Sequence, residues 1–125
     1  SLNEKEFQVF SAGNFFFSAM CYGLKASTTS DANFMPNVYK EIKSLVEKGD
    51  LHEARELQFA AIDILKGIPR TNNGESSAEI KYILSLMGLC TEYVNPSYRT
   101  LTKEEKIKAD KAFTLLQDFN NSFNK

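Results

Sequence analysis

Residues 7–36 read Phe7-Gln-Val-Phe10-Ser-Ala-Gly-Asn14-Phe-Phe-Phe-Ser-Ala-Met-Cys-Tyr22-Gly-Leu-Lys-Ala26-Ser-Thr-Thr-Ser30-Asp-Ala-Asn-Phe-Met-Pro36, and they decide the fold. Phe7–Phe10 is short, β-prone and alternating, which predicts a strand. Asn14–Tyr22 predicts a short helix closed by Gly23, and Ala26–Ser30 is again β-branched and extended. Strand, helix, strand and then helix is the βαβ pattern of a parallel sheet. Two strands cannot close such a sheet. With both edges bare, this half of the chain is marginal by itself, which implies structure upstream of Ser1.

From Pro36 onward the sequence is a run of helices with written boundaries. Pro36–Lys48 opens on proline and closes at Gly49, and Val38, Ile42, Leu45 and Val46 recur on one face. Leu51–Lys66 follows Asp50 as N-cap, with Glu53 at capping-box spacing. Its apolar positions, Ala54, Leu57, Ala61, Ile64 and Leu65 with Phe59 and Ile62 beside them, make a stripe wide enough for burial on two sides. The polar stretch 70–75 predicts a loop, then a helix over Ser77–Met87 with Ser76 and Glu79 as a second capping box and Gly88 as its stop. Thr102 and Glu105 form a third box ahead of a helix over Lys103–Phe119 that buries Ala109, Ala112, Phe113 and Leu116. The Asn- and Ser-rich tail is expected to fray.

Composition narrows the function classes. The 125 residues carry 15 Lys+Arg against 16 Asp+Glu, a formal charge of -1, with 42% hydrophobic and 25% charged residues. This is ordinary for a globular chain and implies no basic face for nucleic acid. The apolar run from Phe15 to Gly23 is far short of the roughly 20 residues that span a bilayer, so no membrane contact is expected. The amino terminus shows no apolar segment behind basic residues, and it opens on Ser1 rather than methionine, as a truncated polypeptide does. Cys21 and Cys90 are far apart among apolar neighbours, so neither a disulfide framework nor a metal site is expected. They are read as buried, reduced thiols in a cytoplasmic protein.

Three stretches carry a resemblance: Val9-Phe-Ser-Ala-Gly-Asn14, then Gly23-Leu-Lys-Ala-Ser-Thr-Thr-Ser-Asp-Ala-Asn33-Phe-Met-Pro36, then Lys48-Gly-Asp-Leu-His-Glu-Ala-Arg-Glu-Leu-Gln58. In order and spacing they resemble the end of the dihydrodipicolinate synthase / N-acetylneuraminate lyase family, the class I pyruvate-dependent aldolases. That family has a glycine-ended seventh strand, a Gly-Ala-x-Gly-x-Ile-Ser turn into the eighth, and a Gly-Asp-x-x-x-Ala-x-x-x-Gln signature between helices. Ile80-Lys-Tyr-Ile-Leu-Ser-Leu-Met-Gly-Leu89 and Leu101-Thr-Lys-Glu-Glu105 resemble its last two helices.

The resemblance implies an α/β fold, mostly helical in isolation: the last two βα units of a TIM (β/α)8 barrel over residues 1–49, then a three-helix carboxy-terminal domain over 50–125. It implies cleavage or formation of a carbon–carbon bond in pyruvate or another 2-oxo acid through a lysine Schiff base, with no metal or organic cofactor, in a homo-oligomer. The family's Schiff-base lysine, its tyrosine and its carboxylate-holding loop all correspond to positions before Ser1, so the segment alone is expected to be inactive.

Active sites of such barrels lie at the carboxy-terminal ends of the strands, which makes Ser11, Gly13, Asn14, Thr28 and Ser30 the candidate substrate-binding residues. Ser11 stands where the family usually has the strand-seven glycine. Gly13 and Asn14 stand where the sialic-acid-cleaving branch carries acidic residues that hold substrate hydroxyls. Thr28 matches the isoleucine that borders pyruvate in the synthase branch, and Ser30 matches a serine that reaches substrate. The plain alternative is that Thr28–Ser30 is only polar strand and turn. Lys25 lies in the turn before the second strand and is read as solvated, since a Schiff-base lysine needs burial or cationic neighbours. His52, the only histidine, is read as a surface residue. Two rivals stand beside the aldolase reading: a noncatalytic helical interaction module with an irregular amino-terminal arm, and a degenerate member of the family.

Overall fold

The computed structural model describes residues 9–71 and 77–124. Strand β1 (Ser11–Ala12) leads into helix α1 (Phe16–Cys21), which returns to strand β2 (Ser27–Thr28). A 3-10 turn over Ser30–Asn33 is followed by helices α2 (Pro36–Lys48), α3 (Leu51–Leu65), α4 (Ser77–Leu86) and α5 (Lys103–Asn121). The strands pair in parallel, Ser11 opposite Ser27 and Ala12 opposite Thr28. The chain is thus α/β and mostly helical.

Both strands are displaced or shortened relative to expectation. Phe7 and Gln8 lie outside the described residues, and Val9 and Phe10 are exposed and outside the strand. Pairing starts at Ser11, where the Ser11 N–H reaches the Ala26 carbonyl at 3.2 Å. The second strand stops at Thr28 because the Thr29 hydroxyl accepts the Asp31 N–H at 3.4 Å and turns Ser30 into the 3-10 turn. A local side-chain acceptor competes here with the sheet ladder, and wins. Helix α1 is shorter than the stretch 14–22. Gly23, at φ 86°, ends it in the left-handed conformation that glycine adopts without penalty.

Helix α2 runs as expected from Pro36 to a left-handed Gly49, with the Asp50 N–H returning to the Leu45 carbonyl at 2.9 Å. Its inner face, Val38, Tyr39 and Ile42, packs on α3 through Ala54, Ala61 and Leu65. Phe34, Met35, Ile83 and Leu116 complete the core. Phe16 from α1 meets Tyr39 edge-on at 5.6 Å between ring centroids.

Four expectations are corrected. Asp50 occupies the N-cap of α3 but its side chain makes no capping bond, because its backbone is not in the extended conformation a capping side chain needs. Phe59 is 53% exposed, so it lies outside the buried stripe through which α3 meets α1, α2 and α5. Cys21 and Cys90 are exposed free thiols: Cys21 ends α1 on its outer side, and Cys90 follows the turn at Gly88. The tail after Phe119 is docked. Helix α5 continues to Asn121, and Asn120 Oδ1 accepts the Asn37 N–H at 3.0 Å while Asn37 Nδ2 donates to Asn124 Oδ1 at 2.6 Å. Asn37 is in the first turn of α2, so the tail satisfies a helix-start N–H that would otherwise lack a partner.

The Thr102–Glu105 capping box forms as expected. Ser76 lies outside the described residues and with it the second box. Glu79 itself is fully buried and accepts both the main-chain N–H and the hydroxyl of Thr71.

Candidate functional site

The parallel register brings two carboxy-terminal strand ends side by side. Beyond Ala12, Gly13 takes φ 74° and its N–H is held by the Thr28 carbonyl at 3.0 Å. Asn14 and Phe15 follow on one side, Thr29, Ser30 and Asp31 on the other. Together with Thr28 and with Arg70, from the segment after α3, they line one open depression. Four of the five residues expected from sequence, Gly13, Asn14, Thr28 and Ser30, therefore share a surface. Ser11 does not: its hydroxyl is buried within the strand pair, and its carbonyl accepts the Ser27 hydroxyl at 3.2 Å.

Four side chains outside the five candidates, Thr29, Asp31, Tyr39 and Arg70, complete the site. Asp31 is only 4% exposed. Burial pushes its carboxyl above the usual carboxylate range, outweighing the Arg70 charge and hydrogen bonds from Thr29 and Asn14 that pull the other way. Thr29 lies between Asn14 Oδ1 and Asp31 Oδ2, at 3.4 Å from each. Beneath them sits Tyr39, its phenol pushed up to about 12 by burial and then by the Asp31 charge. Tyr39 Oη and Gln58 Nε2 are buried without a good hydrogen-bond partner, although Thr29 and Gln58 flank the phenol. Asp31 had a legible signal, its spacing two residues after a threonine. Arg70 had none, because it arrives from a separate element.

The depression offers hydroxyl and amide groups, one acid and one guanidinium, and no lysine among the residues that line it. This suits recognition of an oxygen-rich ligand, and supplies no amine for covalent chemistry. Lys25 is exposed. His52 is exposed too, its Nδ1 3.2 Å from Arg55. Among the described residues no group of three or more His, Cys, Asp or Glu could hold a metal ion, and no helix is long and apolar enough to cross a membrane.

The sequence profile described as the dihydrodipicolinate synthetase family matches residues 2–116. No curated protein sequence matches. Among solved structures, Ruminococcus gnavus sialic acid aldolase superposes with a TM-score of 0.80 at 24% identity, over 94% of this chain and 40% of that one. Bacteroides thetaiotaomicron dihydrodipicolinate synthase gives 0.77 at 23%, over 90% of this chain and 39% of that one. A variant of Sulfolobus solfataricus 2-keto-3-deoxygluconate aldolase gives 0.72 at 20%, over 91% and 39%. At these identities the likeness is one of fold, and the chain spans about two fifths of each relative.

Proposed function

This chain belongs to the dihydrodipicolinate synthetase family, and from that premise we propose that it is the carboxy-terminal part of a Schiff-base aldolase, lyase or synthase acting on pyruvate or a related 2-oxo acid. In this reading residues 1–49 are the last two βα units of a (β/α)8 barrel and residues 50–125 its helical appendage. The observation that carries it is the parallel pairing of Ser11–Ala12 with Ser27–Thr28, which joins Gly13, Asn14, Thr28 and Ser30 around one depression at the strands' carboxy-terminal ends. Barrel enzymes build their sites at that end. An interaction module with an irregular arm has no need of a parallel crossover there.

The segment's contribution is one wall of the site. Asn14 and Ser30 hydrogen-bond substrate oxygens, Thr28 borders the 2-oxo acid, and Gly13 lets the backbone turn close to the ligand. Ser11 supports the wall from within the strand. The amine that forms the Schiff base comes from the rest of the barrel, so the chain alone is inactive, and no metal or organic cofactor takes part. The exposed thiols fit a reducing compartment such as the cytoplasm.

Borohydride reduction in the presence of pyruvate, followed by intact-mass measurement, tests this on the isolated chain and on the whole polypeptide that carries it. An adduct on the whole polypeptide and none on the isolated chain is expected. An adduct on the isolated chain, or none on either, would overturn the reading.

A further inference from the structure

Thr29 has one hydroxyl proton and two acceptors for it, Asn14 Oδ1 and Asp31 Oδ2, each at 3.4 Å. The same oxygen accepts the Asp31 N–H, which holds the hydroxyl between them. The charged and titratable groups around Asp31 are Arg70, from the segment after α3, and Tyr39, from α2. From the strand ends only the neutral Thr29 and Asn14 face it. We propose that Asp31 is a positioning residue whose protonation state decides, through the Thr29 hydroxyl, which edge of the Asn14 amide is offered to a ligand in the depression.

The two states follow from donor and acceptor inventory. An ionised Asp31 is the stronger acceptor and takes the Thr29 proton. Asn14 Oδ1 then loses that donor while the Asn14 amide N–H donates to the Asp31 carboxylate, so the amide oxygen is the edge left for ligand hydroxyls. A protonated Asp31 donates its own proton to the Thr29 oxygen, and Thr29 passes its hydroxyl proton into a bond with Asn14 Oδ1. The Asn14 amide is then pinned with Nδ2 available to donate to a carbonyl, carboxylate or hydroxyl oxygen. One proton is taken from solvent and remains on Asp31. The burial that raises the Asp31 carboxyl moves this switch toward neutral pH. A ligand rich in oxygen, such as a polyhydroxylated aldehyde or its 2-oxo acid adduct, meets a donor edge in one state and an acceptor edge in the other.

The relevance to substrate rests on the pocket proposed above, while the relay belongs to this chain and is tested on it directly. In the isotope-labelled chain, the Asn14 side-chain amide and the Asp31 carboxyl carbon are followed by NMR as pH is varied. The expected result is a shared midpoint, with the Asn14 step lost in Thr29→Val and in Asp31→Asn and retained in Thr29→Ser. An Asn14 amide that stays flat while wild-type Asp31 titrates overturns the relay, and so does a step that persists in either of the first two variants. The wild-type titration decides by itself should a variant fail to fold. Failure of the pyruvate trapping would leave this result standing, so the two ideas fail separately.

Discussion

Gln58 on α3 accepts the main-chain N–H of Phe17 through Oε1 at 3.2 Å, closing the amino terminus of α1 from across the fold. Phe17 is in the first turn of α1, and the N-cap residue Phe15 has no side-chain acceptor to offer. The glutamine that ends the Gly49-to-Gln58 signature is thus a cap supplied by a different helix of the same chain, and it ties the crossover helix to the helical layer.

Gln58→Ala would leave that N–H without this partner in a partly buried setting, at a cost of about 1–2 kcal/mol. Urea unfolding of the variant should show a lower midpoint with an unchanged slope. A midpoint equal to wild type would mean that α1 draws its stability from Phe16 and Ala19 packing alone.

Two acids pull stability in opposite directions with pH. Glu105 accepts two bonds from Arg99, at 2.6 and 2.8 Å, and the Thr102 N–H, which hold its carboxyl down at about 2 from an ordinary 4.5. A depressed acid contributes stability that is present above its unfolded value and lost as pH falls toward 2. Asp31 is raised, so its contribution is present below the ordinary 3.8 and lost as pH rises through the folded value. Glu105→Gln should therefore be less stable than wild type at neutral pH and converge with it in acid. Asp31→Asn should be more stable at neutral pH. Unfolding midpoints across the pH range check both, and parallel curves for wild type and variants would refute the assignment.

The helix boundaries that were legible in sequence are those fixed locally. Pro36 and Gly49 bound α2 because one presets φ and the other takes it to 89°. Thr102 and Glu105 start α5 because both halves of the box lie within four residues. Asp50 and Glu53 have the same spacing, yet the tight turn out of Gly49 denies Asp50 the backbone it needs. Among the described residues the first strand starts at Ser11, beyond Phe7–Phe10, and the second keeps only Ser27–Thr28 of Ala26–Ser30, since their limits are set by a partner sixteen residues away and not by β-propensity. The same distinction holds at the site. Asn14 and Ser30 were legible from their positions after extended stretches. Arg70 and the buried Asp31–Tyr39 neighbourhood depend on how α3 and α2 stack against the strand ends.

Gly67, two residues beyond the end of α3, lies against Ala112 of α5. A Cβ there would stand 3.2 Å from the Ile64 carbonyl oxygen and 3.3 Å from Ala112 Cβ. Neither neighbour is the end of a flexible side chain, and Ala112 is buried in the core. Gly67→Ala should cost about 1–3 kcal/mol by overpacking. Gly49→Ala meets no atom within 4 Å but must hold φ at 89°, so it should cost about 1–2 kcal/mol through backbone strain instead. Unfolding experiments on both variants separate the causes when combined with Ala112→Gly: relief of crowding rescues Gly67→Ala and leaves Gly49→Ala unimproved.

Among the described residues β1 and β2 pair only with each other, leaving an outer edge on each. Beside them Phe10, Phe15 and Tyr22 are 54%, 70% and 86% exposed. Bare strand edges next to exposed aromatic rings are templates for association, and apolar patches of a few hundred Å2 rarely stay uncovered. In the proposed barrel the neighbouring strands cover these edges. The isolated chain should instead self-associate, with sedimentation equilibrium giving a mass that rises with concentration. Phe15→Lys combined with Tyr22→Lys should shift that rise to higher concentration, because charge beside an edge opposes pairing. A single monomeric species at high concentration would show that the strand ends are covered from within the chain, and would remove the main physical reason for expecting the rest of a barrel around them.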